Sequence, residues 1–142
     1  GVSYLLDVNV LIALIDPLHV HHERAHRWFG DEGGADWMSC PTTQNGVIRI
    51  VGNARYPNTQ APRMVLESLE SLLAAGRHRF VADAVSLLDP LVDRARMLSA
   101  AQVTDTYLLC LAASAGARLA TFDRRIVTSA VPEGSRIAYQ IE

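Results

Sequence analysis

The segment Ser3-Tyr4-Leu5-Leu6-Asp7-Val8-Asn9 is a short apolar run closed by an acid. Apolar runs of this length, unbroken by polar residues, fit strands buried on both faces of a sheet. The final carboxylate then emerges from the sheet at the strand's end. Val10 to Ile15 continues as an apolar helix, closed by Asp16-Pro17. The same pattern recurs late in the chain. Arg118-Leu119-Ala120-Thr121-Phe122-Asp123 reads as a strand that again ends in an acid.

Between these two segments strands and helices alternate. Val20 to Phe29 is an amphipathic helix with Ala25, Trp28 and Phe29 inside, and Gly33-Gly34 is a loop. Ala35 to Cys40 is a second strand. Pro41-Thr42-Thr43 opens a helix reaching about Val51, with proline in its preferred first-turn place. Arg55 to Pro62 is loop. Arg63 to Ala75 is a helix stopped by Gly76. His78 to Val81 is a weak strand, and Val85 to Leu98 carries helical periodicity across Asp89-Pro90. Thr104-Asp105 starts an apolar, central helix that reaches Ser114, and Gly116 ends it. Arg136 to Ile141 is the last strand. This alternation predicts an α/β domain with a parallel sheet and right-handed crossovers.

Composition supports one domain over residues 1–142, since single cores serve roughly 100–150 residues. With 49% hydrophobic and 20% charged residues, the chain is neither disordered nor low in complexity. No apolar run nears the roughly 18 residues of a bilayer span, so no membrane role is expected. No basic region precedes an apolar one at the start, so no signal peptide is expected. Cys40 and Cys110 lie in apolar surroundings, which fits buried thiols in the cytoplasm better than a disulfide scaffold. All 13 basic residues are Arg, against 15 acids, for a net charge of −2. A mildly acidic chain is no general polyanion binder. Any nucleic acid must meet a local Arg cluster, whose planar forks suit phosphate.

The carboxylates carry the chemistry. Asp7 and Asp123 end strands, and Asp105 opens an apolar helix. Ligands of parallel sheets bind beyond the carboxyl ends of the strands. Clustered carboxylates repel one another unless one is protonated or a cation lies between them. Mg²⁺ or Mn²⁺, held by a few carboxylates with open water positions, makes a phosphodiester-cleaving site. Local structure offers another account of each acid taken singly. Asp7 and Asp105 also fit helix N-caps, and Asp123 fits a turn acid beside Arg124 and Arg125.

Four segments together resemble the motifs of PIN domains, closest to VapC-type toxins of bacterial toxin–antitoxin pairs. They are Leu5-Leu6-Asp7-Val8-Asn9-Val10-Leu11-Ile12, Thr43-Gln44-Asn45-Gly46-Val47-Ile48-Arg49, Thr104-Asp105-Thr106-Tyr107-Leu108 and Leu119-Ala120-Thr121-Phe122-Asp123-Arg124-Arg125. The resemblance implies a PIN-like α/β sandwich, with a central mostly parallel sheet flanked by helices. It implies a Mg²⁺- or Mn²⁺-dependent endoribonuclease that cuts structured RNA, commonly tRNA or ribosomal RNA. It implies a homodimer neutralised by a VapB-type antitoxin that covers the acids.

By position Asp7, Asp105 and Asp123 take the places of the family's first, third and fourth acids. The second falls on Gly46, which supplies no ligand. Either three acids suffice, or Asn9, Gln44, Asn45 or a water fills the gap, or metal binding is weak. Thr121 and Asn9 are also accessory candidates for a hydrogen bond to a ligand or water. Arg49 shares a helical face with Gly46 and either pairs with an acid of the site or meets RNA phosphate. Arg124 and Arg125 are RNA candidates of the same kind, and Arg55 a weaker one.

His22 and His26 share the spacing of a metal-binding pair, but no third ligand is near in sequence; a solvated helix start accounts for them better. Trp28, Phe29 and Trp37 read as core or interface. A binding module that cuts poorly, because of Gly46, is the competing function. A phosphoryl-accepting receiver domain would need a Lys at a late strand end, and the chain has no Lys.

Overall fold

A computed structural model describes residues 1–142. Its centre is a five-stranded, all-parallel sheet, β1 (Tyr4–Leu6), β2 (Trp37–Ser39), β3 (His78–Phe80), β4 (Arg118–Thr121) and β5 (Ala138–Gln140), in the order β3-β2-β1-β4-β5. Leu5 pairs with Met38 on one side and Leu119 on the other. The chain lays down strands outward from β1 in one direction, then returns to lay β4 on its other side. The carboxyl ends of β1 and β4 thus flank the point where strand order reverses, the usual crevice for a ligand.

Period-two alternation splits each strand between two cores. Tyr4, Leu6, Trp37 and Ala120 face α1 (Val8–Ile15), α2 (His22–Asp31), α3 (Pro41–Val51) and α4 (Pro62–Leu73). Leu5, Met38 and Leu119 face α5 (Val103–Ser114), through Leu108, Leu109, Leu111 and Ala112. The short α6 (Gly134–Ile137) leads into β5. Trp28 and Trp37 are buried, as their sequence context implied, and Trp37 Nε1 donates to Ala75 O at 3.0 Å. No helix is long and apolar enough to cross a membrane.

Several boundaries differ from the sequence reading. The helix expected over Val85 to Leu98 does not form. Ser86 Oγ accepts from Leu88 N, Asp89 Oδ1 from Leu91 N and Asp93 Oδ1 from Ala95 N. These side-chain turns take the backbone donors that a helix would need, and Leu88, Leu91 and Leu98 are left exposed. Only a 3₁₀ turn at Arg94–Arg96 remains. The last strand begins at Ala138, because Arg136 and Ile137 close α6. The second strand is confined to Trp37–Ser39, since Ala35 sits in a 3₁₀ turn and Cys40 caps α3. Thr43 Oγ1 accepts from Cys40 N there at 3.0 Å, which fixes the start of α3.

Gly76 marks a close approach rather than a helix stop, since α4 ends at Leu73. Its φ is +61°, and an added Cβ would lie 2.3 Å from Gly34 O. Gly76→Ala is therefore expected to cost about 2–4 kcal/mol, combining left-handed strain with overpacking. Urea unfolding measures it; a loss below about 0.5 kcal/mol would contradict the close approach.

Candidate active site

Asp7 follows β1 directly and caps α1. Its Oδ1 accepts from Val8 N at 2.7 Å, so the capping role holds. Its Oδ2 accepts from Thr121 Oγ1 at 2.8 Å, so the same side chain also reaches across to the end of β4. Asp7 is only 7% exposed. Burial raises its carboxyl above the usual range; the bonds from Thr121 and Val8 oppose the shift, and the Asp123 charge adds to it.

Thr121 is fully buried and ties the crevice together. Besides donating to Asp7, its Oγ1 accepts from Asp123 N at 3.0 Å and from Asn9 Nδ2 at 3.4 Å. Asn9 Oδ1 accepts from Phe122 N at 3.4 Å. Asn9 therefore stitches α1 to the end of β4. Asp123 Oδ1 accepts from Arg125 N at 2.8 Å, the turn contact its position suggested, and Gln140 Nε2 donates to Asp123 O.

Asp105 lies in the first turn of α5, on the sheet face opposite α1. It does not cap its helix: the N-cap is Gln102, with no side-chain cap bond. Burial, then the charges of Asp7 and Asp123, push its carboxyl up to about 6. Residues 7, 105 and 123 are thus gathered near enough to feel one another's charge. No Arg relieves them, because the chain's ion pairs are Arg79–Asp36, Arg96–Asp93 and Arg136–Glu133.

Hard oxygen donors under mutual repulsion are the donor set that Mg²⁺ or Mn²⁺ takes. The donor chemistry of these residues suits such an ion. No three Asp, Glu, His or Cys side chains converge closely enough to enclose an ion on their own. Water must complete the shell, as is usual for Mg²⁺.

The remaining candidates divide. Gln44 is not brought to the acids: its Nε2 donates to Ser39 Oγ at 2.9 Å, and Ser39 also bonds His78 Nε2 at 2.7 Å. Asn45 is exposed on α3. Gly46 is buried against α1, where an added Cβ would stand 2.9 Å from Val8 Cγ2. Arg49 is exposed and pairs with no acid, which removes the ion-pair reading and leaves phosphate contact open. Arg124 and Arg125 are exposed beside Asp123, free of ion pairs. His22 Nδ1 and His26 Nε2 bond the carbonyls of Ala13 and Leu14, at 2.7 and 2.9 Å. They serve the open end of α1, not a metal.

One acid went unnoticed in the sequence. Asp83 Oδ2 accepts from Thr42 N and Oγ1, and its Oδ1 from Tyr107 OH, joining α3 to α5. It lies in irregular chain after β3, with no strand or helix pattern to flag it.

Comparison with known proteins shows the family. The PIN domain model matches residues 4–131, and the chain belongs to the PIN domain family. Its relatives there include Ribonuclease VapC44 of Mycobacterium tuberculosis, 42% identical over 133 residues, 93% of this chain and 94% of that one. Ribonuclease VapC38 of the same organism is 41% identical over 127 residues, 89% of each chain. Among solved structures, PAE2754 from Pyrobaculum aerophilum superposes with a TM-score of 0.61 at 19% identity, covering 99% of this chain and 84% of that one. VapBC2 from Rickettsia felis, solved bound to a DNA fragment from its promoter, gives 0.58 at 13% identity, covering 98% and 96%. At these identities the two structures speak for the fold alone.

Proposed function

We propose that this chain is the toxin of a type II toxin–antitoxin pair, an endoribonuclease that uses Mg²⁺ or Mn²⁺ to cut structured RNA, of the tRNA or ribosomal class. The observation that carries the reading is that Asp7, at the end of β1 and bonded to Thr121 of β4, and Asp105 and Asp123 lie near enough to feel one another's charge, with no Arg paired to any of them. The ribonuclease relatives support the reaction class. The kinship with ribonucleases named VapC supports a VapB-type antitoxin as partner, and we place it over the acids. A homodimer acting in the cytoplasm completes the proposal.

Asp7, Asp105 and Asp123, with water completing the shell, would hold the metal, which would supply charge stabilisation at the scissile phosphate and a more acidic water. Thr121 fixes the Asp7 carboxylate by donating to Oδ2 and holds the Asp123 backbone by accepting its N–H. Asp105 is half-buried, and without a cation its carboxyl is pushed up to about 6 by burial and by the charges of Asp7 and Asp123, a repulsion that a bound cation would relieve. Asn9 keeps the Phe122 backbone in register with α1.

Incubation of bulk tRNA and ribosomal RNA with Mg²⁺, with Mn²⁺ and with chelator tests the reading. Discrete cuts that vanish with chelator are expected, and cutting that persists would overturn metal dependence. The packing of Gly46 against Val8, which leaves three acids, favours a second reading: a module that binds RNA or antitoxin and cuts weakly. Tight RNA binding without cleavage at any Mn²⁺ concentration would establish it.

Charge sets the salt dependence. With a net charge of −2, RNA binding rests on few arginines. The slope of log K against log salt should correspond to only about 2–4 phosphate contacts. Arg124→Ala with Arg125→Ala should weaken binding and lower the slope by about 1–2. An unchanged slope in a filter-binding series would make them plain surface residues.

A further inference from the structure

Phe122 sits between Thr121 and Asp123, and two residues of the α2 end pack on its ring. His21 stacks on it, with centroids 4.6 Å apart and planes 24° apart. The Arg24 guanidinium carbon lies over it, 5.1 Å from the centroid. Adjacent Cα atoms are about 3.8 Å apart, so this stack is mounted on the residue next to Asp123.

Arg124 joins the group from the other side of Asp123. After burial, the charges of Arg24, His19 and Arg124 are what hold the His21 imidazole below its usual range. The cations here are Arg24 and Arg124, and no acid pairs with either. Asp31, Glu32 and Glu142 line the cleft beside Arg24, yet none comes within ion-pair distance. Arg24 Nε is buried without a hydrogen-bond partner.

Two arginines without carboxylate partners, one of them packed on Phe122 with its Nε unbonded, leave positive charge to be met by an anion. An arginine fork beside aromatic faces suits phosphate and base together. We propose that His21, Arg24 and Arg124, mounted on Phe122, form a second RNA subsite beside the carboxylates, one that grips a backbone phosphate flanking the scissile one. The choice of RNA rests on the nuclease reading above. The carboxylates act at the bond to be cut, and the cationic stack fixes the strand on the α2 side of it.

The test is anisotropy titration of a fluorescein-labelled hairpin RNA over a range of NaCl, in an Asp7→Asn background so that the probe survives. Arg24→Gln should weaken binding about three- to tenfold and lower the salt slope by about 0.7–0.9, the share of one phosphate. Arg24→Lys should keep the slope and lose part of the affinity, because the charge stays and the planar fork goes. Arg136→Gln, before β5 at the opposite end of the sheet, should move neither. Since Arg24 packs on Phe122, Arg124→Gln is the second variant; Arg124 is exposed, and its slope should fall likewise.

If neither Arg24→Gln nor Arg124→Gln changes the slope, the stack belongs to packing or to a protein partner and the subsite is overturned. Absence of RNA binding overturns it as well. Cleavage by the unsubstituted chain is measured separately. A lowered slope with no cleavage sinks the nuclease reading and leaves the subsite standing.

Discussion

Asp7→Asn is expected to remove RNA cleavage by about a thousandfold or more while the protein stays folded. The several kcal/mol of charge stabilisation that a metal supplies at a phosphate would be lost with its most buried ligand. Folding should survive because Asn is as good an N-cap as Asp, so the Val8 N–H keeps its acceptor. Without metal the variant should be more stable than the parent. Asp7 and Asp105 both have raised carboxyl pKa values, so the folded chain binds more protons than the unfolded one. Parent stability is then fullest below the ordinary carboxylate range and falls as pH rises through about 6. Asp105 is half-buried and partly screened by solvent, so its share is of the order of 1 kcal/mol. The melting temperature of Asp7→Asn should exceed the parent's by about 4 °C at neutral pH, and the gap should close toward pH ~4. Thermal scans across pH in chelator check the sign. A gap that widens on acidification would refute the mutual repulsion, and full activity at saturating Mg²⁺ would refute the metal site.

The sequence made the frame of this site legible for a simple reason. β1, β4 and α5 are buried, and burial writes itself as apolar runs. An acid at the end of such a run is conspicuous, and Asp7, Asp105 and Asp123 stood out on that ground. Thr121 was visible as a polar residue two places before Asp123, but its three bonds depend on the register of β1 against β4. Apolar spacing misled over residues 85–98, because periodicity does not register that Ser86, Asp89 and Asp93 take backbone donors locally. The stack of His21, Arg24 and Phe122 was hidden differently. It joins the start of α2 to the residue after β4, and each member has an ordinary role in its own segment. The His22–His26 pair looked like half a metal site, and became intelligible once α1 ended with its carbonyls toward α2.

Gly46 is where sequence and structure together change an expectation. From position alone, Gly46→Glu should restore the family's second acid and tighten Mg²⁺ or Mn²⁺ binding. The packing of α3 on α1 opposes that. A Cβ at residue 46 would stand 2.9 Å from Val8 Cγ2, and Val is stiff at χ1, so the methyl cannot swing aside cheaply. Gly46→Glu alone should therefore be destabilised by about 1–3 kcal/mol, after a helix-propensity gain of about 1 kcal/mol has offset part of the overpacking. It should gain little metal affinity, because its carboxylate has no unstrained path past Val8. Adding Val8→Ala removes both crowding methyls beside Asp7. The double variant should recover part of the stability and bind Mn²⁺ several-fold more tightly than the parent. Calorimetric titration with Mn²⁺, beside urea unfolding of the four chains in the cycle, measures both terms and their coupling. Equal Mn²⁺ affinity in the parent and the double variant would mean that residue 46 does not look toward the carboxylates. Three acids and water would then be the whole ligand set of this chain.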